Sequence, residues 1–150
     1  MKHTNCELCE GTGGELLWQG ERCRVVRIED ENYPGLCRVI WTGHVREMSD
    51  LSDVDRQHLM RVVFAAEQAL RDTLAPFKIN LASLGNVTPH LHWHIIPRFR
   101  DDRHFPKPIW APAERETISR NLSSDWKREL INALVARCAL LNDPRHDDSL

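Results

Sequence analysis

The sequence has no apolar run long enough to cross a bilayer, and its first residues, Met1-Lys2-His3-Thr4-Asn5, carry no apolar leader. It has no excess of basic charge: the formal net charge is -2, which provides no general field for a nucleic-acid backbone. Its cysteines do not pair off. Cys6, Cys9, Cys23, Cys37 and Cys138 are an odd set, which disfavours a disulfide framework and fits a reducing compartment. These absences set the expectation of a cytoplasmic protein with no membrane and no specific nucleic-acid partner. In that compartment the triplets at Asn86 and Asn121 carry no glycosylation meaning. Repeats, low-complexity tracts and linkers are also lacking, so residues 1–150 read as a single domain. At 41% hydrophobic and 28% charged, the composition supports a packed core rather than a disordered chain.

What the sequence does have is organised around His90-Leu91-His92-Trp93-His94-Ile95-Ile96-Pro97-Arg98. Polar and bulky apolar residues alternate with period two, the pattern of a half-buried strand. Successive side chains of a strand point to opposite faces, so His90, His92 and His94 share one face, with neighbours roughly 6–7 Å apart. Leu91, Trp93 and Ile95 then face a core, and Pro97 weakens the pairing beyond it. A fold gains nothing from three imidazoles on one face, which points to chemistry.

The rest of the pattern is that of an α+β domain with an antiparallel sheet of about five strands, one long helix and a C-terminal helix. Leu16 to Trp18, Cys23 to Ile28, Leu36 to Trp41 and Ile79 to Leu84 read as strands. Ser52 caps a helix carrying Val54, Leu59, Val62, Val63, Ala66, Leu70 and Leu74 at helical spacing, which Pro76 ends. A second helix runs from about Asp125 to Leu141, capped by Ser123 or Ser124, with Leu130, Ile131, Leu134, Val135, Cys138 and Leu141 inward. Asn142-Asp143-Pro144 stops it. Arg98 to Pro112 is a charged loop whose Arg98, Arg100, Arg103 and Lys107 read as solvated, with a polyphosphate contact as the alternative.

Two kinds of chemistry use several histidines on a strand. In one they ligate a divalent metal, although three same-face positions splay along the strand and converge poorly. In the other, one imidazole is a nucleophile whose second nitrogen is held by a fixed acceptor, and a neighbour protonates the leaving group.

The stretch His90-Leu91-His92-Trp93-His94-Ile95-Ile96 resembles the motif of the histidine-triad (HIT) superfamily, His-φ-His-φ-His-φ-φ with φ apolar. Pro97-Arg98, Asn80 to Gly85-Asn86, Pro34-Gly35, Val39-Ile40 and His44 extend the likeness over roughly residues 6 to 100, leaving 101 to 150 as an extension. The resemblance implies a HIT-like fold and a hydrolase or transferase acting on a phosphoanhydride or phosphoramidate of a nucleoside monophosphate. It assigns His92 as nucleophile, His94 as proton donor to the leaving group and His90 as holder of the hydrogen-bond network. Asn80, Asn86 and the backbone of Gly85 would hold phosphate and ribose. Asp30 or Glu29 would accept from the ribose, with turn solvation as the alternative. It also implies a homodimer, for which Trp18, Trp41 and Trp93 supply more aromatic surface than one sheet needs.

The chain departs from that pattern at Leu36, where many members carry a histidine, which truncates the polar network behind His90. Asn86 and Val87 stand where glutamine and a hydroxyl residue are common, and Thr88 should point to the opposite face. These changes keep a second reading open: a nucleotide-binding regulatory protein with little or no turnover. Cys6-Glu7-Leu8-Cys9 is a Cys-x-x-Cys pair, read either as free thiols or as half of a structural zinc site. Similarity to some bacterial triad proteins implies His44 and His90 as its other ligands. His3, His58 and His104 have no identified partner.

Overall fold

Period-two alternation along five short strands builds the central layer. The computed structural model of the protein describes residues 5–141. Strands β1 (Glu15–Gln19), β2 (Cys23–Arg27), β3 (Cys37–Trp41), β4 (Lys78–Ala82) and β5 (His92–Arg98) form one antiparallel sheet in the order β1-β2-β3-β5-β4. The α+β class and the five-stranded antiparallel sheet read from the sequence are what the chain forms.

One face of the sheet carries Cys23, Val25, Cys37, Val39, Trp41, Ile79 and Ile95 into the main core. Helix α2 (Asp53–Leu74) meets them with Leu59, Val62, Val63, Ala66, Leu70 and Leu74. Ser52 is its cap: the hydroxyl accepts from Asp55 N at 3.2 Å. The helix closes at Ala75, whose φ of 45° is left-handed, just before Pro76. Val54 sits in the first turn, off the buried stripe, and is exposed rather than inward. Gly35 has φ 89°, and a Cβ there would meet Leu74 Cδ1 at 2.5 Å, so the Pro34-Gly35 turn can lie directly on the helix end.

Helix α3 (Trp126–Leu140) lays Leu130, Leu134 and Cys138 on the same core and packs against α2 and β1. Its inner stripe is narrower than expected, and Val135 is exposed. Neither Ser123 nor Ser124 caps it by side chain. Asp125 is the N-cap, and the first turn closes on the Ser123 carbonyl, which accepts from Trp126 N at 3.3 Å. The stop at Asn142-Asp143-Pro144 and the residue His3 lie outside the described residues. Trp41 is buried, and Trp18 and Trp93 pack against this core while staying partly exposed.

The histidine strand begins two residues later than its alternation suggests. His90 N bonds back to Thr88 O at 2.8 Å in a tight turn after Pro89, and regular pairing starts at His92. Leu91 still bridges outward, to Val45 O at 2.8 Å and Trp41 N at 3.1 Å, and is buried in the core. Pairing with β3 ends at Cys37↔Ile95, before Pro97, while the β4 ladder runs on through Ile79↔Pro97 to Arg98.

The register fixes what shares the second face. Val26, Arg38 and His94 lie in one row across β2, β3 and β5, and Arg24, Ile40 and His92 in the next. Two covers sit on this face: Cys6 and Leu8 on Val26 and Ile40, and Tyr33 and Leu36 on Ile96. His92 and His94 lie between them.

Candidate active site

The first triad histidine is drawn to one cover. Cys6 is the N-cap of the one-turn helix α1 (Glu7–Glu10) and Cys9 lies within it, an element the sequence pattern does not announce. Their Sγ atoms both lie 3.4 Å from His90 Nδ1, and Cys9 Sγ is also 3.4 Å from His44 Nδ1. The four ligand atoms lie within 4.8 Å of one another. Zinc bonds of ~2.3 Å to sulfur and ~2.05 Å to nitrogen give a tetrahedron with S···N edges of about 3.5 Å, so the donor set fits such an ion. The His90 Nε2–H donates to Trp41 O at 2.7 Å, which leaves Nδ1 with its lone pair toward the thiols. Burial lowers the His90 pKa and keeps the ring neutral, the form a ligand needs.

His92 and His94 stay in the opening, with ring centroids 4.9 Å apart and planes at 68°. The His92 Nδ1–H donates to His90 O at 2.6 Å, so its Nε2 carries the free lone pair. Burial lowers the His92 pKa, and the Arg38 cation adds to that, against the bond to His90 O. His94 is pushed down to about 4, by burial first and then by His92 and Arg38. Both rings are neutral near pH 7 in the free protein. No hydrogen bond engages the His94 ring among the described residues; it meets the Trp110 ring edge-on at 5.3 Å.

The other expected site residues separate. Gly85, at φ 72°, lines a cavity with Ser83, Arg46, Met48, His90 and His92. Asn86 is exposed. Asn80 faces a second cavity, with Ile96, Ile109 and Trp110, and its Oδ1 accepts from Arg98 Nη1 at 2.7 Å. The Asp30 carboxylate is engaged in its own loop, accepting from Asn32 N at 2.8 Å. Leu36 packs with Tyr33 and Ile96 at the far end of β5, so it truncates nothing behind His90. Thr88 does not turn away: strand alternation does not hold before His92, and its hydroxyl donates to Glu7 Oε1 at 2.8 Å. Cys23, Cys37 and Cys138 are buried in the core, where burial pushes the thiols up to about 12, 12 and 11.

Of the four cations expected on a solvated loop, Arg100 and Lys107 are exposed, Arg103 is half-buried and Arg98 is withdrawn from solvent. Arg98 is 2% exposed and donates to both oxygens of Asp102, at 2.8 and 3.1 Å, and to Lys107 O at 2.7 Å. Burial alone would raise the Asp102 pKa, but Arg98 and the amides of Phe99 and His104 hold it down at about 2. Tyr33 donates to Asp102 at 3.1 Å, and His104 bonds the same hydroxyl at 2.6 Å, so His104 does have a partner. Arg100 lies over Phe77, Arg103 bonds Thr117 and Lys107 pairs with Glu114. Two residues beside the histidines were missed in the sequence. Trp110 belongs to an irregular loop with no periodicity to read. Arg38 alternates within its strand and is placed on the histidine face by register alone.

A family model described as HIT domain matches residues 13–101, more than half of the chain, and the chain belongs to that family. A histidine triad protein from Bradyrhizobium japonicum is 27% identical, with a TM-score of 0.69 over 91% of this chain and 96% of that one. A histidine triad protein from Sinorhizobium meliloti 1021 is 21% identical and shares the fold, with a TM-score of 0.69 over 89% of this chain and 96% of that one. An AP-4-A phosphorylase of Mycobacterium tuberculosis is 26% identical over 106 residues, 64% of this chain and 54% of that protein. The chain therefore spans about half the length of the curated relatives it matches.

Proposed function

We propose that this HIT-domain protein is a nucleotidyl hydrolase or transferase. It acts on a phosphoanhydride or phosphoramidate of a nucleoside monophosphate through a covalent nucleotidyl-histidine. The observation that carries the reading is the His92 ring, with Nδ1–H tied to His90 O at 2.6 Å and a second neutral imidazole 4.9 Å away. The His92 Nε2 lone pair adds to the α-phosphorus. The N–P bond forms as the bond to the leaving oxygen or nitrogen breaks, and the leaving group takes a proton from His94. Water then cleaves the N–P bond, releases the nucleoside monophosphate and returns a proton to the site. Bound polyphosphate raises the His94 pKa by its negative charge, so the proton is present when it is needed.

The Gly85 turn holds the phosphate, with Asn86 at its tip, and the side of β5 bearing Trp110, Ile96 and Asn80 receives the nucleoside. Cys6, Cys9, His44 and His90 would hold a structural zinc ion, and a site closed in that way would fix His90, whose carbonyl orients His92. The working unit is a homodimer in the cytoplasm, and light scattering at micromolar concentration tests the dimer.

The decisive experiment incubates the protein with adenosine and guanosine polyphosphates and phosphoramidates and looks by mass for a nucleotidyl adduct. The adduct is expected on the parent and absent from His92→Ala. Turnover by His92→Ala within about tenfold of the parent would overturn the nucleophile assignment. Two observations favour a second reading, a nucleotide-binding regulator: Val87 is 96% exposed, and the Thr88 hydroxyl is engaged by Glu7. Neither turn residue then assists a leaving group. Tight nucleotide binding with no adduct on any substrate selects that reading.

A further inference from the structure

Four arginines extend from β2, β3 and the end of β5, and in three of them Nε has a partner. Arg24 donates to the carbonyls of Thr12, Leu8 and Gly11 at 2.8, 2.7 and 3.1 Å. Arg27 pairs with Glu15 at 2.5 Å. Arg98 is held by Asp102, Asn80 and Lys107. Arg38 is the exception. It is half-buried on β3, its Nε is buried, and no hydrogen bond reaches that atom among the described residues. A buried donor left unpaired costs free energy that a fold normally avoids.

Its position makes the exception informative. Arg38 pairs with His94 in the β3–β5 register, so both side chains leave the same face of the sheet, one row from His92. Its charge is felt at both rings. The Glu7 carboxylate also acts on His92, but among the described residues no hydrogen bond reaches Arg38 Nε. The turn that would donate to a phosphoryl group offers no side-chain hydroxyl, since Val87 lies in solvent and Thr88 bonds Glu7.

We propose that Arg38 is a phosphoryl-binding residue, whose guanidinium donates to the non-bridging oxygens of the phosphoryl group that His92 attacks. The inference rests on the nucleotidyl-transfer reading and supplies the charge-neutralising group that reading otherwise lacks. Planar, fork-shaped donors match phosphoryl oxygens, and a guanidinium fixed in a partly dry site meets developing charge without reorganising. The missing partner of Nε is the ligand.

The test compares AMP with adenosine by calorimetry on the parent, Arg38→Met and Arg38→Lys, each checked for folding by circular dichroism. The parent should bind AMP more tightly than adenosine. Arg38→Met should shrink that difference by roughly tenfold or more and leave adenosine affinity unchanged. Turnover should fall roughly 10²–10³-fold, mainly in kcat, with Arg38→Lys intermediate. If Arg38→Met does not fold, Arg38→Lys carries the comparison, because it keeps the charge and loses the fork.

An undiminished preference for AMP in the variants overturns the proposal. If the parent forms no adduct, the nucleotidyl-transfer reading falls by itself, and inorganic phosphate and pyrophosphate then probe Arg38 directly. Thermal stabilisation of the parent by either anion, lost in the variant, upholds the anion site. No stabilisation of the parent by AMP, phosphate or pyrophosphate ends it.

Discussion

The two ends of the stretch from His90 to Arg98 differ from its middle in how their polar side chains are engaged. At one end His90 uses both ring nitrogens, one toward Trp41 O and the other toward Cys6 and Cys9. At the other end Arg98 is held by Asp102, Asn80 and Lys107. Between them His92 engages one ring nitrogen, and the His94 ring and Arg38 Nε have no hydrogen-bond partner among the described residues. Saturated polar clusters at both ends fix a stretch whose centre is left with free lone pairs beside a free donor on β3. That is the division preorganisation requires: the reacting groups wait, and their neighbours hold still.

The largest expected effect separates adjacent triad members. His92→Ala should lower turnover by several orders of magnitude, as nucleophile deletions do, with the melting temperature nearly unchanged. His90→Ala should lose stability together with rate, because it removes a proposed zinc ligand and the side chain that anchors the backbone carbonyl orienting His92. Kinetics and thermal melts on the same two variants check this. Equal destabilisation by both would erase the contrast between end and middle.

The end at Cys6, Cys9, His44 and His90 can be broken alone. Purified protein is expected to carry about one zinc per chain, since two thiolates and two imidazoles at tetrahedral spacing suit that ion. Cys9→Ser should lose it and melt roughly 10 °C lower. Elemental analysis and calorimetry read both. A zinc-free parent after gentle purification would leave Cys6, Cys9, His44 and His90 as a polar cluster only.

The other end is a buried ion pair. Asp102→Asn strands the Arg98 charge and should cost about 3–5 kcal/mol in denaturant unfolding. Its pH dependence has a definite sign. The folded-state pKa of Asp102 is about 2, below the ordinary 3.8, so the pair's stabilisation is fully present above about pH 4 and is lost as pH falls toward 2. Urea midpoints between pH 5 and 2 should fall more steeply for the parent than for Asp102→Asn.

How far the sequence announces this arrangement depends on the kind of signal. Period-two and helical spacing locate the strands, α2 and its Ser52 cap, because those patterns are local. The same alternation overextends β5 to His90, since a turn closed by Thr88 and Pro89 looks like strand in a string of letters. Family resemblance, not spacing, brings His44 and His90 to the Cys-x-x-Cys pair. The engagement of Asn80 and the orphaned Nε of Arg38 depend on a partner 18 residues away or on strand register, and the burial of Arg98 on a following loop that folds back over it, none of which composition encodes. Trp110 reaches His94 through a loop without periodicity.

His94 gives the smallest and most selective effect. Its pKa of about 4 in the free protein means an unprotonated ring at neutral pH, so its proposed proton must arrive with the anionic substrate. AMP binding near pH 6 should therefore take up protons, measured as a dependence of the binding heat on the ionisation enthalpy of the buffer. His94→Ala should abolish that uptake. On substrates whose leaving group departs as a stable anion, such as a polyphosphate, His94→Ala should slow turnover less than about tenfold. On phosphoramidates of basic amines, which cannot leave unprotonated, the loss should approach roughly 10²–10⁴-fold. Equal losses on both classes would show that His94 positions its neighbour instead of donating a proton. That would extend the structural role of the strand ends into its middle.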